Sequence, residues 1–262
     1  MNKVNLTEEE KKIPYAKYFF KELAKVTAEK ESIGNGEMSD CKRALSIEDK
    51  NLFLKGEDNG IQAGFTVMKD GIGYVANSTF MKNVTVEMIQ WWFAWHSINS
   101  DLRYKIWDNE DHYYARADKP EYVLDKNVPL GEKTWGVNHI VKEDIGLGPE
   151  EIVLSFRCPK DFGYDMEILG TEKCEGMVCA IGIGNVPAFM THKFYSVDGG
   201  INFESRFWIG YKFEKGKFIK IIPEGKCVPE IVPRSLFKHN IKEFTNLAAI
   251  LPSVYAEEKD NW

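Results

Sequence analysis

Near one end of the chain, in PRSLFKHNIKEFTNLAAILPSVYAEE, the residues His239, Glu243 and Asn246 recur at i, i+4 and i+7 among Leu236, Phe237, Ile241, Phe244, Leu247 and Leu251. On a helix this spacing puts three polar groups in one stripe along an otherwise apolar rod. An imidazole and a carboxylate one turn apart can reach a single divalent ion, as the i, i+4 pairs of helical metal sites do. The same stripe would also serve as an exposed face carrying an ordinary His–Glu contact. Two helical ligands do not close a coordination shell, and the partners available elsewhere include four further histidines, His96, His112, His139 and His192. His112 lies in DNEDHYYARAD at the start of a strand, and Glu143 ends WGVNHIVKED, whose alternation puts His139, Val141 and Glu143 on one face. A carboxylate facing a cavity is costly unless it is paired or metal-bound, although at a strand end either residue can equally face solvent.

The elements that must position these groups follow from periodicity. Residues 8–30 carry apolar groups at helical intervals after Pro14 and predict one helix, and Thr85 caps a second through VEMIQWWFAWHSIN. Between them, FLKGEDNGIQAGFTVMKDGIGYVANSTF reads as short strands and turns, so residues 1–84 form a mixed N-terminal segment. From residue 101 onward come strand-length runs: DLRYKIW, YYARA, TWGVNHIVKED, EIVLSFRCP, EGMVCAIGIG, AFMTHKFYSV, INFESRFWIGYKFE and KFIKIIP. Asp198-Gly199-Gly200 and Glu214-Lys215-Gly216-Lys217 are hairpin signals between them. Pro233 ends the sheet, Ser235 caps the closing helix, and Pro252 stops it. Residues 85–262 thus predict an α+β unit of the helix-grip type, a curved antiparallel sheet with a long C-terminal helix plugging a half-open barrel. Ligands of such a unit bind between the two layers.

Composition narrows the partners. A chain of 262 residues with 44% hydrophobic and 28% charged residues is a folded globular protein rather than a disordered or fibrous one. The net charge of -6, with lysines and arginines scattered, argues against a nucleic-acid surface and for small-molecule partners. No apolar run approaches the roughly 20 residues that cross a bilayer, and MNKVNLTEEEKKIP has no apolar signal region. Neither a membrane partner nor export is therefore expected, and a cytoplasmic location is. Five cysteines without a CxxC pair point to neither a zinc ribbon nor a disulfide framework.

The words WWFAWH, RYKIW and DH, then Glu-Asp-Ile-Gly after an alternating strand, then ESRFWIG and HNIKEFTNLA, resemble in their order the phloretin hydrolase and diacetylphloroglucinol hydrolase family. The likeness spans residues 85–255. It implies a zinc-dependent hydrolase, a homodimer of Bet v 1-like fold, that cleaves the carbon–carbon bond joining an acyl group to a phloroglucinol ring. It places a shell of two histidines and two glutamates on His112, Glu143, His239 and Glu243, and a substrate-orienting tyrosine on Tyr104. Zinc is the expected ion, although manganese or iron accepts the same ligands. His112 suits the family spacing to Glu143 better than His96, which is expected to pack or to hydrogen-bond at a helix end. His192 resembles a cavity position and would move a proton to the ring carbon, while His139 could enter the pocket. Phe207 and Ala115 stand where the family carries a tyrosine and an asparagine, which leaves the metal shell complete and the substrate in question.

The chemistry this implies suits a polyhydroxylated ring. Its keto tautomer makes the acyl carbonyl part of a 1,3-dicarbonyl, and the ring then leaves as a stabilised enolate. A bound divalent ion lowers the pKa of water and polarises the acyl oxygen, and Tyr104 would donate to the oxygen on which charge develops. Rival readings are a zinc hydrolase of another 1,3-dicarbonyl or aryl ketone, and a non-enzymatic carrier of helix-grip fold. A two-histidine, one-carboxylate iron oxygenase fits less well, because two carboxylates are expected here.

Overall fold

In the computed structural model, which describes residues 3–262, three short helices come first: α1 (Ala16–Phe19), α2 (Ala28–Asn35) and α3 (Lys50–Lys55). The single helix expected over 8–30 is therefore broken. Residues 20–27 form no helix, and backbone groups around them are gripped from outside. Asn109 Nδ2 donates to the carbonyls of Phe19 and Lys21 at 2.8 and 3.1 Å, and the Ala24 N–H donates to Asn246 Oδ1 at 3.0 Å. Thr27 then restarts the helix by accepting the Lys30 N–H at 3.4 Å.

The middle of the chain supplies β1 (Gly64–Val67), β2 (Gly73–Lys82), α4 (Val86–Trp95), α5 (Leu102–Lys105), β3 (His112–Ala117), α6 (Pro120–Leu124), β4 (Asn138–Glu143) and β5 (Glu150–Phe156). It continues with β6 (Gly176–Ile183), β7 (Ala188–Val197), β8 (Gly200–Ile209), β9 (Tyr211–Glu214), β10 (Lys217–Lys220) and α7 (Ile231–Glu258). Eight strands form one antiparallel sheet in the order β1-β2-β8-β7-β6-β5-β4-β3. Two of the eight come from residues 1–84, and β2 pairs with β8 from Gly73↔Ile209 to Lys82↔Gly200. The remaining hairpin, β9–β10, turns at Lys215 and Gly216 with φ of 51° and 75°, the left-handed pair a two-residue hairpin needs.

Two expectations are corrected by local chemistry. DLRYKIW is not a strand but α5, because the Leu102 N–H donates to Ser100 Oγ at 3.3 Å and the Arg103 N–H to the Ser100 carbonyl at 3.1 Å, which starts a helical turn. α7 begins before Pro233 rather than at a Ser235 cap, since a first-turn proline lacks only an N–H that has no partner there anyway. It also runs through Pro252, which removes one helical hydrogen bond. Packing on either side holds the last turns: Leu251 and Val254 are buried, and Tyr255 sits edge-on to Trp91 at 5.2 Å.

Both faces of the sheet are covered. One carries Val75, Phe203 and Phe207 against Phe237, Phe244 and Leu247 of α7. The other carries Tyr74, Phe189 and Trp208 against Phe53 and Phe162, and Trp208 donates its indole N–H to the Leu45 carbonyl at 2.7 Å. Among the described residues no helix is long and apolar enough to cross a membrane, and all five cysteines are free.

Candidate active site

A cavity of about 380 Å3 opens between α7 and the strands β4 to β8, lined largely by apolar side chains and by Tyr104, Glu143, His192, His239 and Glu243. Its polar end is where four elements meet. The i, i+4 spacing on α7 presents His239 and Glu243 together, β3 starts with His112, and the β3–β4 register sets His112 opposite Glu143. α5 contributes Tyr104, which stacks flat on His112 at 4.0 Å and donates its hydroxyl to Glu143 Oε2.

The tautomer of His112 follows from its partner. Its Nδ1 lies 3.4 Å from the Tyr104 carbonyl, which can only accept, so Nε2 carries the lone pair. That Nε2 is 3.3 Å from His239 Nε2, and Glu243 Oε2 lies 3.8 and 3.9 Å from the two nitrogens. Trp107 closes the cluster, edge-on to His112 at 5.1 Å with its N–H on the Glu243 carbonyl at 3.0 Å.

Behind His239 stands an ion-pair network that the sequence analysis missed. His239 Nδ1 meets Asp111 Oδ2 at 3.3 Å, and Lys242 Nζ meets that same oxygen, Asp108 Oδ2 at 3.1 Å and Glu110 Oε2 at 3.4 Å. Asp108 Oδ1 accepts the N–H groups of Glu110 and Asp111 at 3.1 and 3.3 Å, folding DNEDH into a tight turn. The acidic run beside His112 was the available signal. Ligand atoms of Asp108, His112 and His239 all lie within 4.8 Å of one another, a buried group that can hold a metal ion.

Electrostatics tie the cluster to protons. Burial works against a charged His239, but the Asp111 hydrogen bond and the carboxylates of Glu243, Glu143 and Asp108 outweigh it and hold the imidazole up at about 10. Burial pushes Glu243 up to about 8, with Glu143 and Asp108 adding to it and His239 opposing. His112 is driven far down, first by burial and then by the cations of His239 and Lys242. Without a metal, the proton on His239 Nε2 therefore points at the His112 lone pair. Replacing it by an ion suits the spacing, because two nitrogens each about 2.0–2.1 Å from one tetrahedral ion stand close to the observed 3.3 Å apart.

The other candidates separate by position. Asn246, third in the helical stripe, lies outside the cluster and clamps backbone instead, accepting from Ala24 and donating to the Trp107 carbonyl at 2.8 Å. His192 lines the cavity with Nδ1 on Ser205 Oγ at 2.9 Å, and burial among Phe203 and Phe244 lowers it to about 3. His96 also lines the cavity and makes the expected helix-end bond, Nδ1 to the Trp92 carbonyl at 2.8 Å. His139 lies behind His96, ring centroids 5.3 Å apart, and does not reach the lining. Phe207 lines the cavity, whereas Ala115 is buried opposite Val141 and does not.

Residues 45–256 match the family model described as the DAPG hydrolase PhiG domain. The chain is 55% identical to the phloretin hydrolase of Eubacterium ramulus, over 99% of this chain and 96% of that one. It is 26% identical to 2,4-diacetylphloroglucinol hydrolases of a Pseudomonas species and of Pseudomonas protegens, covering 93% of this chain in both and 88% and 84% of theirs. With a family model matched across most of its length and a relative at that identity, the chain belongs to the DAPG hydrolase family.

Proposed function

We propose that this protein is a zinc-dependent hydrolase that splits the carbon–carbon bond between an acyl group and a phloroglucinol-type ring, with phloretin as its substrate. The observation that carries the reading is the convergence of His112 Nε2, His239 Nε2 and Glu243 Oε2 beside the Tyr104–Glu143 pair, at the polar end of an apolar cavity. The proposed ligands are His112, Glu143, His239 and Glu243. Asp108 is set aside because one oxygen is committed to the backbone of its turn and the other faces Lys242. A set of two imidazoles and two carboxylates suits zinc. When bound, the ion would supply Lewis-acid polarisation of the acyl oxygen and a lowered pKa for water.

The chain's own groups divide the remaining work. Burial and the carboxylates of Glu143 and Glu243 keep the Tyr104 hydroxyl protonated, so once the substrate replaces Glu143 as its acceptor it donates towards the oxygen that gains charge. His192, oriented by Ser205, passes a proton to the ring carbon. Burial keeps its imidazole neutral at rest, so the proton it hands to the ring is one it takes from the attacking water. Water thus adds hydroxyl to the acyl carbon and hydrogen to the ring carbon as the bond between them breaks. The apolar walls exclude other water from the enolate-like ring. α7 lying across a large antiparallel sheet with the cavity between them supports a helix-grip, Bet v 1-like assignment. A cytoplasmic homodimer completes the proposal, and sedimentation velocity of the purified protein tests the assembly.

Incubating the protein with phloretin tests the activity. Equimolar phloroglucinol and 3-(4-hydroxyphenyl)propanoate are expected, and intact phloretin after prolonged incubation with zinc-loaded protein would overturn the reading.

A further inference from the structure

α4 is followed directly by His96, whose imidazole is almost wholly buried yet forms part of the cavity wall. It lies against Tyr104 and Trp107 at ring-centroid distances of 5.6 and 5.5 Å. Its Nδ1 is 2.8 Å from the Trp92 carbonyl. A carbonyl oxygen only accepts, so Nδ1 carries the proton and Nε2 presents a lone pair. Among the described residues nothing donates to that Nε2. The nearby donors are committed elsewhere, Tyr104 to Glu143 and the Trp107 indole to the Glu243 carbonyl. His139 fills the space behind, edge-on at 5.3 Å, and neither of its nitrogens is hydrogen-bonded to His96.

His96 Nε2 opens onto the cavity, so its partner is whatever fills the cavity. An imidazole acceptor whose tautomer is fixed, unpaired in the wall of a mostly apolar cavity, is complemented by a donor that the ligand brings. Burial, reinforced by Arg103, holds His96 down at about 4 against the opposing Trp92 bond, so the nitrogen is an acceptor rather than a base. Phe93, Trp107 and Phe156 line the same cavity and suit a flat ring.

We propose that His96 Nε2 accepts the hydrogen bond of one ring hydroxyl of a polyphenolic substrate, and thereby selects rings that carry a hydroxyl at that position. This specificity role rests on the activity proposed above and adds a residue that contacts the ring away from the bond that breaks.

The test compares phloretin with two analogues of its ketone-bearing ring, one lacking an ortho hydroxyl and one lacking the para hydroxyl. Wild-type protein should prefer phloretin over one of the two by about 10²-fold in kcat/KM, because a site built around a hydroxyl rejects the analogue without it. In His96→Phe that preference should collapse to within about threefold, through loss on phloretin rather than gain on the analogue. His96→Gln, whose amide oxygen can accept from a similar place, should restore part of it. Metal content and circular dichroism should match wild type in both variants, and His96→Leu replaces the phenylalanine variant if the latter does not fold. Unchanged preference over both analogues in the phenylalanine or leucine variant would overturn the proposal. Calorimetric binding of the three ligands reads the same ratio as Kd, so the role of His96 is decided even if phloretin is bound and not cleaved, an outcome that would fail the activity instead.

Discussion

His239 is held on both sides of its ring, Nδ1 by Asp111 and Nε2 by His112, and the two contacts carry separate predictions. A carboxylate behind a metal-binding histidine fixes its orientation and raises its basicity, and losing one typically costs about 10- to 100-fold in affinity. Asp111→Ala should therefore weaken zinc by that amount in competition with a chelator, and an affinity within twofold of wild type would remove Asp111 from the account. Because His239 is held at about 10 and Glu243 at about 8, both carry protons at neutral pH that an incoming ion must displace. Zinc affinity should consequently rise with pH from 6 towards 8. Calorimetry in buffers of different ionisation enthalpy should read a release of about two protons per ion at pH 7, and no proton release would contradict the assignment. At this scale the sequence was informative about His239 and Glu243 because helical spacing places residues on one face. It was blind to Lys242, whose partners Asp108, Glu110 and Asp111 meet it only when the turn before β3 docks on α7. Asn246 shares the stripe of His239 and Glu243 yet serves another purpose, since a face of a helix can meet different neighbours along its length.

Among the elements, α7 does two jobs, carrying two of the four proposed metal ligands and pinning the chain before α2. Asn246 joins it to Ala24 and to the Trp107 carbonyl. Asn246→Ala leaves buried backbone groups unpaired and should cost about 1–3 kcal/mol in urea unfolding with an unchanged slope. A loss below about 0.5 kcal/mol would show that water replaces the clamp. These external clamps also explain why residues 8–30 mislead as sequence. Their apolar spacing is helical, but the distant residues Asn109 and Asn246 compete successfully for the backbone around residues 20–27. DLRYKIW misleads for a different reason, since a run that short fits a strand or a single helical turn equally well and the Ser100 hydroxyl decides. The strands from Glu150 to Lys220 were legible because alternation and Gly-containing turns agree there, as they do at Lys215-Gly216.

Across the whole molecule, burial of ionisable groups sets an acid and an alkaline limit on the metal-free fold. Burial lowers His96 to about 4 and His192 to about 3, and drives His112 and His139 well down. Each binds its proton more readily when unfolded, so its contribution is complete above the ordinary value of 6.5 and is lost as pH falls towards the folded values. Glu243 and His239 have raised values and act in the opposite sense, stabilising at low pH and losing that contribution as pH rises through about 8 and about 10. Thermal melts of metal-free protein should therefore show a maximum near pH 6.5, and a Tm that climbs steadily from pH 5 to 9 would contradict this balance. The α+β class and the closing helix were readable from the order of elements, while the burial of the sheet's second face was not. Nothing in the periodicity of Leu45, Phe53 or Phe162 says which face of a distant strand they will cover. The claim on which the rest depends is that a zinc ion held by the His239–Glu243 face of α7 performs the cleavage. Its most direct test is to strip the purified protein with a chelator, titrate zinc back and follow phloroglucinol release from phloretin. Activity is predicted to be lost on stripping and to return in proportion to zinc until a single ion is bound per chain. Full turnover by protein shown by elemental analysis to hold no metal would contradict it.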